Sequence, residues 1–348
     1  MALTTRPRGN DPIFSPAIAQ LMVTALANKE DWLLQEKVLP QFAGGTVSIN
    51  GQTFRDLPSN GRILMEQLDF GQAGIKTKVA PGEATPLLRG TGFDEIIYTM
   101  DERVLGIPVT DSDLRAFKTN AGVDVMQLRM ANVVRTMTVE REREVATLYS
   151  TPGNWTSPLA LAGATCWAGI GATGNPLADL AAQKEALRPF CVPNTIIMGA
   201  ATAWALQNNA QFLSLLATDT DRGLITRDGI EARLKSLLGV QAVFFAHSAR
   251  NTSLDPDVPA ISDIWGDMLW MGYIPLANGM AGELGNFRSG DSAYAVEGSA
   301  TYCVDDGGWL YDEFRDEDRR TSYPRIIRRD AFGVMRPQLG TVITNTVV

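Results

Sequence analysis

The chain has 348 residues, 45% of them hydrophobic and 20% charged, enough apolar side chain to close a sizeable core and too much for a disordered chain. Its formal net charge of −8 and pI of about 4.9 exclude a protein whose main work is coating phosphate backbones, which needs clustered surplus Lys and Arg. Cys166, Cys191 and Cys303 are odd in number and far apart, so buried free thiols are expected rather than a disulfide framework or a zinc or redox pair.

Residues 1–14 carry Arg6, Pro7, Arg8, Gly9, Asn10 and Asp11 with no apolar stretch behind them, so no secretory signal is expected. No apolar run is long enough to span a bilayer, and a soluble protein made in a cytosol is the expectation. Up to about Pro40 the chain reads as an extended arm: Asn10, Asp11 and Pro12 break structure, 17–27 spells a short helix, and 36–40 leads away. From 44 to 101 the pattern changes to short β pieces. Strands at 46–49 and 52–54 flank Asn50-Gly51, the pair that a tight hairpin turn prefers, and further turns are predicted at Asn60-Gly61 and Pro81-Gly82. Gly71, Gly74, Gly82, Gly90 and Gly92 make this stretch too polar to bury much apolar surface, so it needs a neighbour.

One long helix is predicted over 123–149, with Val123, Met126, Met130, Val133 and Met137 on a single stripe. It forms a rod of roughly 40 Å at about 1.5 Å per residue. Its far end carries Glu140, Arg141, Glu142, Arg143 and Glu144, an alternating run that cannot all be buried, and Pro152 and Gly153 end it. Such a rod fits a strut in an assembly, and equally a solvated surface helix. A small-residue linker is expected at 159–174, after which Asn175-Pro176 offers an N-cap and a first-turn proline for a helix to about 188. A break at 189–193, a buried strand at 195–198, helices at 200–208 and 226–238 and a strand at 241–246 give an α/β block. Further β-prone pieces fall at 267–274, 294–304, 325–327 and 340–345, with no internal repeat.

Catalytic motifs are mostly missing. Gly169, Gly171 and Gly174 spell G-x-G-x-x-G, but no strand precedes them, Pro176 delays the helix, and Met198 is followed by Gly199 where a ribose-binding acid belongs. His247 is the only histidine, and neither G-x-S-x-G nor a Walker pattern is present, so a hydrolase or NTPase has no support. Asp305, Asp306, Asp312, Glu313, Asp316, Glu317 and Asp318 lack the ligand spacing of a calcium loop, and Arg315, Arg319 and Arg320 among them favour salt bridges. No enzyme activity, cofactor or metal is expected.

The blocks Pro193-Asn194-Thr195-Ile196-Ile197-Met198-Gly199 and Ala203-Trp204-Ala205-Leu206-Gln207-Asn208-Asn209 resemble the major capsid proteins of tailed bacteriophages. So do Asn251-Thr252-Ser253, Ile261-Ser262-Asp263-Ile264-Trp265-Gly266, the apolar 268–274, the charged 315–320, and 325–329 and 332–346. The resemblance implies an α+β subunit of the Hong Kong 97-type coat fold. Its parts would be an N-terminal arm (1–43), an extended β-hairpin loop (44–101), a peripheral domain (102–192) with the spine helix, an axial domain (193–290) and a C-terminal return to the peripheral domain (291–348). It implies a shell subunit whose partners are copies of itself in hexamers and pentamers, a portal, a decoration protein in some relatives, and packaged DNA held without sequence specificity, with no membrane. Because little sequence precedes Pro40, a separate scaffolding protein is expected rather than a fused one. The place of action would be the virion, with assembly in the host cytoplasm.

Inter-subunit contacts are expected at Lys76, Lys78, Glu140, Glu142, Glu144, Arg315, Arg319 and Arg320. Arg319, Arg320, Arg328 and Arg329 would pair with Glu140, Glu142 or Glu144, or with an adjacent subunit. Some relatives cross-link a loop lysine to an asparagine near the C-terminus, for which Lys76, Lys78 and Asn345 are the counterparts, although all three read equally as ordinary surface residues. The competing readings are an encapsulin-like nanocompartment shell and, last, a cytosolic dinucleotide-binding enzyme using the Gly169 loop.

Overall fold

The predicted stripe on the central helix organises the computed structural model, which describes residues 33–43, 45–49, 52–56, 58–66, 92–113, 125–169, 172–212, 226–253, 258, 260–287, 292–295, 298–305 and 309–348. Helix α1 is the single turn Gln35–Val38, and α2 is the 26-residue rod Val125–Ser150. Along α2 the buried positions come in pairs four apart: Val133 and Val134, Met137 and Thr138, Arg141 and Glu142, Val145 and Ala146, then Tyr149. Each pair faces one side of the rod, so α2 is docked along its length. Among the predicted stripe residues Met130, Val133 and Met137 are buried, while Val123 and the side chain of Met126 lie outside the described set. The predicted 17–27 helix and the Pro81-Gly82 turn also lie outside it.

One side of α2 faces a ten-stranded sheet. Its order is Leu310–Asp316, Thr321–Val334, Thr301–Asp305, Gln41–Ala43, Glu283–Phe287, Ser292–Ala295, Asn60–Glu66 and Phe93–Thr99, with Asp101–Gly106 and Val109–Thr110 also paired to the long Thr321–Val334 strand. Val109, Trp309 and Ile326 pack on Met130, Val133, Val134 and Met137 of the helix.

The second layer is a five-stranded sheet ordered Ala242–Phe245, Thr195–Met198, Leu269–Gly272, Gly340–Thr344 and Leu159–Ala160. The Thr195–Met198 and Leu269–Gly272 strands are buried at every residue, as expected of strands covered on both faces. Ile196, Met198, Leu269, Met271 and Ile343 face helices α3 (Pro176–Leu187), α4 (Ala200–Asn208) and α5 (Arg227–Leu238), through Leu180, Leu187, Leu206, Ile230 and Leu234. Ile197, Trp270 and Val342 point the other way, onto Val145, Ala146 and Tyr149 at the end of α2 and onto Leu34, Val38 and Leu39. The period-2 alternation of the strands thus divides one sheet between two cores. The α3 cap is the predicted one, with Asn175 Oδ1 accepting from the N–H groups of Leu177 and Ala178.

Several expectations need correction. Asn60 and Gly61 do not turn; they begin a strand, opposite Thr99 and Tyr98, because Ile63 and Met65 further along must reach the core. The predicted hairpin forms between Gly45–Ile49 and Gln52–Asp56 with Ile49 opposite Gln52, its turn pair lying outside the described residues. The 159–174 linker contains a strand, the 325–327 piece is part of a 14-residue strand, and the 294–304 piece is two strands. Segment 291–348 does not return as one piece, since Gly340–Thr344 joins the five-stranded sheet while Thr301–Asp305 and Thr321–Val334 join the large one. Strand Glu283–Phe287, placed with the axial block, belongs to the large sheet. Cys166 and Cys303 are buried free thiols as predicted, and Cys191 is partly exposed.

Candidate assembly joint

The densest chemistry lies where the 33–43 segment crosses the C-terminal half of α2. Glu142 is fully buried, and its carboxylate accepts from Leu34 N at 3.0 Å, Gln35 N at 2.8 Å, Trp265 Nε1 at 2.6 Å and Ser248 Oγ at 3.4 Å. Two of these donors are free N–H groups at the start of α1, which has no side-chain cap of its own. An acid from a helix more than a hundred residues away therefore caps a turn inside the predicted arm. Tyr149 fixes the other end of that turn, donating to Val38 O at 2.7 Å while Thr301 Oγ1 lies 2.9 Å from its hydroxyl.

Burial pushes the Glu142 carboxyl above its ordinary value, against the pull of its donors from Leu34, Trp265 and Gln35. With the folded value above the unfolded one, its contribution to stability is fully present below the unfolded value and is lost as pH rises through the folded value. The stability gap between the parent and Glu142→Gln, read as urea midpoints, is therefore expected to be larger near pH 4 (about the ordinary carboxylate value) than near pH 8 (on the order of four units higher). A gap that widens with pH would overturn this.

Beside Glu142 lies a buried charge network. Arg141 donates through Nε to Asp330, approaches Glu36 at 3.2 Å and Asp305 at 3.5 Å, and has Cys303 Sγ 3.5 Å from Nη2. Arg328 pairs with Asp305 and, at 3.1 Å, with Glu36; Arg103 reaches Asp330 at 3.0 Å and Glu144 at 2.6 Å. Arg141, Asp305 and Asp330 are almost wholly enclosed, so none could be charged there without the others. Burial pushes the Cys303 thiol far up, leaving it a neutral neighbour and no nucleophile. One cluster thus ties α1, α2 and the large sheet together.

The predicted contact residues fall in different places. Glu142 is enclosed by its own chain and so is not presented to a neighbouring subunit; its four uncharged donors offset part of the cost of its burial. Within the subunit Glu140 pairs with Arg143 at 2.8 Å and Glu144 with Arg103, and not with Arg319, Arg320, Arg328 or Arg329. Arg329 pairs with Glu102 at 2.7 Å. Arg315 makes a two-armed bridge to Asp111 at 2.8 and 3.1 Å and reaches Glu317 at 2.9 Å. Arg319 and Arg320 sit on the exposed turn joining Leu310–Asp316 to Thr321–Val334; Arg319 keeps a loose bridge to Asp316 at 3.6 Å, and Arg320 holds a left-handed φ of 49°. Lys76 and Lys78 lie outside the described residues, and exposed Asn345 donates to Leu161 O at 3.3 Å.

The glycine motif serves packing. A Cβ at Gly174 would overlap the Thr165 carbonyl oxygen and lie 2.5 Å from that of Cys166, so glycine is needed for close backbone approach. The α3 N–H groups that would greet a pyrophosphate are already taken by Asn175. His247 accepts from Arg227 at 2.5 Å on an exposed loop, and burial together with Arg227 lowers its pKa. Among the described residues no group of three His, Cys, Asp or Glu is placed to hold a metal ion, and no helix is long and apolar enough to cross a membrane.

No family model and no curated protein matches the sequence. Among solved structures the chain is similar to a phage-related protein from Bordetella bronchiseptica RB50, at 16% identity over 94% of this chain and 96% of that one, with a TM-score of 0.62. It is also similar to the capsid structure of the cyanophage P-SCSP1u, at 9% identity over 89% of this chain and 87% of that one, with a TM-score of 0.52. The chain has the fold of these phage proteins, the Hong Kong 97-type coat fold expected from the sequence.

Proposed function

We propose that this chain is a major capsid protein that assembles into the icosahedral head shell around the double-stranded DNA of a tailed bacteriophage. The observation that carries the reading is the likeness in fold, end to end, to a phage-related protein and a phage capsid structure. In this reading 1–43 is the arm and 44–101 the extended loop, and the peripheral domain is built on α2 and the large sheet. The axial domain is built on the five-stranded sheet and recruits Leu159–Ala160 and Gly340–Thr344 from outside 193–290. The subunit works by binding copies of itself in hexamers and pentamers, where weak contacts repeated around closed symmetry give a stable shell. A separate scaffolding protein, a portal and a decoration protein are the further partners. DNA lies on the inner face without sequence readout, consistent with the acidic balance. Assembly takes place in the host cytoplasm, and the chain itself performs no catalysis.

The exposed turn 317–320 is the proposed inter-subunit contact. Glu317 and Asp318 stand beside Arg319 and Arg320, so the same turn offers both signs to its neighbours around a symmetry axis. Reversing Arg319 and Arg320 to Glu is expected to leave subunit stability within about 0.5 kcal/mol, as for surface substitutions, while abolishing shells. Normal shells from that variant, seen by electron microscopy, would remove this turn from the interface. The wider reading is tested by electron microscopy of the purified protein, expressed with and without its neighbouring genes. Closed shells establish a coat subunit, DNA rather than protein inside shells made with the neighbouring genes establishes the phage head, and small discrete oligomers under both conditions refute the reading.

A further inference from the structure

Among the described residues, the hydrogen-bonded ladder of the ten-stranded sheet is continuous only through the three-residue strand Gln41–Ala43. Among the described residues, Leu310–Asp316, Thr321–Val334, Thr301–Asp305, Asp101–Gly106 and Val109–Thr110 pair with one another, and Glu283–Phe287, Ser292–Ala295, Asn60–Glu66 and Phe93–Thr99 pair with one another. The three-residue strand Gln41–Ala43 alone pairs with both sets, parallel to each. Gln41 stands opposite Glu283 on one side and Cys303 on the other; Gln41 N donates to Gly282 O at 3.2 Å, and Cys303 N donates to Pro40 O at 2.9 Å. Phe42, fully buried, fills the core between Tyr302 and Val304 from the first set and Ile63, Tyr98 and Leu284 from the second.

This strand is held from upstream. Glu142 grips the N–H groups of Leu34 and Gln35, and Tyr149 grips the Val38 carbonyl, so the segment is pinned to α2 before Val38 and to the large sheet after it. The pairing with Glu283–Phe287 is irregular between Gln41 and Phe42, so the ladder is locally interrupted at the join.

We propose that residues 33–43 are a clamp that couples the two halves of the large sheet, so that seating or withdrawing this segment sets the freedom of the half carrying Asn60–Glu66 and Phe93–Thr99. Tension on the chain before Leu33 then acts on a strand at the middle of the sheet, and the pair Asn60–Glu66 and Phe93–Thr99 turns about Met100, where the chain passes into Asp101–Gly106 of the fixed half. The half built on Thr321–Val334 stays fixed by its own ladders and by α2. The clamp is a property of the single subunit, and it holds whether or not the chain forms shells.

The test is amide hydrogen exchange, followed by mass spectrometry, on the full-length unassembled subunit carrying Gln41→Pro, which removes the N–H donor to Gly282. Exchange in 60–66, 93–99 and 283–287 is expected to rise at least about tenfold, while 195–198, 269–272 and 321–327 keep their parent rates. Should Gln41→Pro fail to fold, Phe42→Leu is read in the same way. Unchanged rates in the first group, or an equal rise in both groups, would overturn the clamp.

Discussion

Arg141→Met is expected to cost about 3–5 kcal/mol of unfolding free energy, because the substitution leaves Asp330 and Asp305 buried without the cation that offsets them. The thioether fills most of the side-chain volume, so the loss reports charge rather than a cavity. Arg103 still reaches Asp330 and Arg328 still reaches Asp305, which keeps the loss from being larger. Asp330→Asn alone leaves Arg141 with Glu36, which is half exposed, and Asp305. The double substitution is expected to lose at least about 1 kcal/mol less than the sum of the two, as coupled neighbours do. Urea denaturation of the unassembled subunit reads both numbers. An additive cycle would mean that the two groups do not act on each other. Since the network binds α1 to α2 and the large sheet, the same variants are also expected to loosen the 33–43 segment.

This network was partly legible in the chain. The buried pairs on α2 recur every four residues, and Arg141 and Glu142 fall where the next apolar pair belongs, between Met137 and Thr138 on one side and Val145 and Ala146 on the other. A charge at a stripe position signals a buried partner, whereas alternation of sign alone points to a solvated run, and Glu140 and Arg143 are indeed of that second kind. The partners were not legible. Glu36, Arg103, Asp305 and Asp330 lie far apart along the chain; sheet register brings the last three together, and the docking of α1 adds Glu36. The α/β block read well because the alternation of strand and helix is local, as at Thr195–Met198 and α4. The large sheet read poorly because its order mixes segments from both ends of the chain, and a three-residue strand such as Gln41–Ala43 has no periodicity to detect.

Trp270→Ala is expected to destabilise the subunit by about 3–5 kcal/mol, the cost of deleting a fully buried aromatic side chain. The indole stands edge-on to Tyr149 at 4.9 Å between centroids and is tilted against Trp155 at 5.5 Å. It joins the five-stranded sheet to the end of α2. Space for the pair comes from Gly340, opposite Gly272 in the adjoining strand, where a Cβ would lie 2.7 Å from the Trp155 ring and 2.9 Å from the Trp270 ring. The backbone is thus cut to fit two indoles, and a collapsed wall cannot easily refill the void. Trp270 Nε1 is buried with no hydrogen-bond partner among the described residues, so the indole N–H itself opposes stability. Trp270→Phe removes that N–H, keeps an aromatic face towards Tyr149, and is expected to cost less than about 1.5 kcal/mol. A tyrosine that anchors Val38 also packs on this ring, so the void in Trp270→Ala should reach the 33–43 segment, whereas Trp270→Phe should not. Urea denaturation separates the two variants, and exchange at 33–43 locates the damage. Equal losses from Ala and Phe would assign the role of Trp270 to its N–H and remove the packing account of the joint.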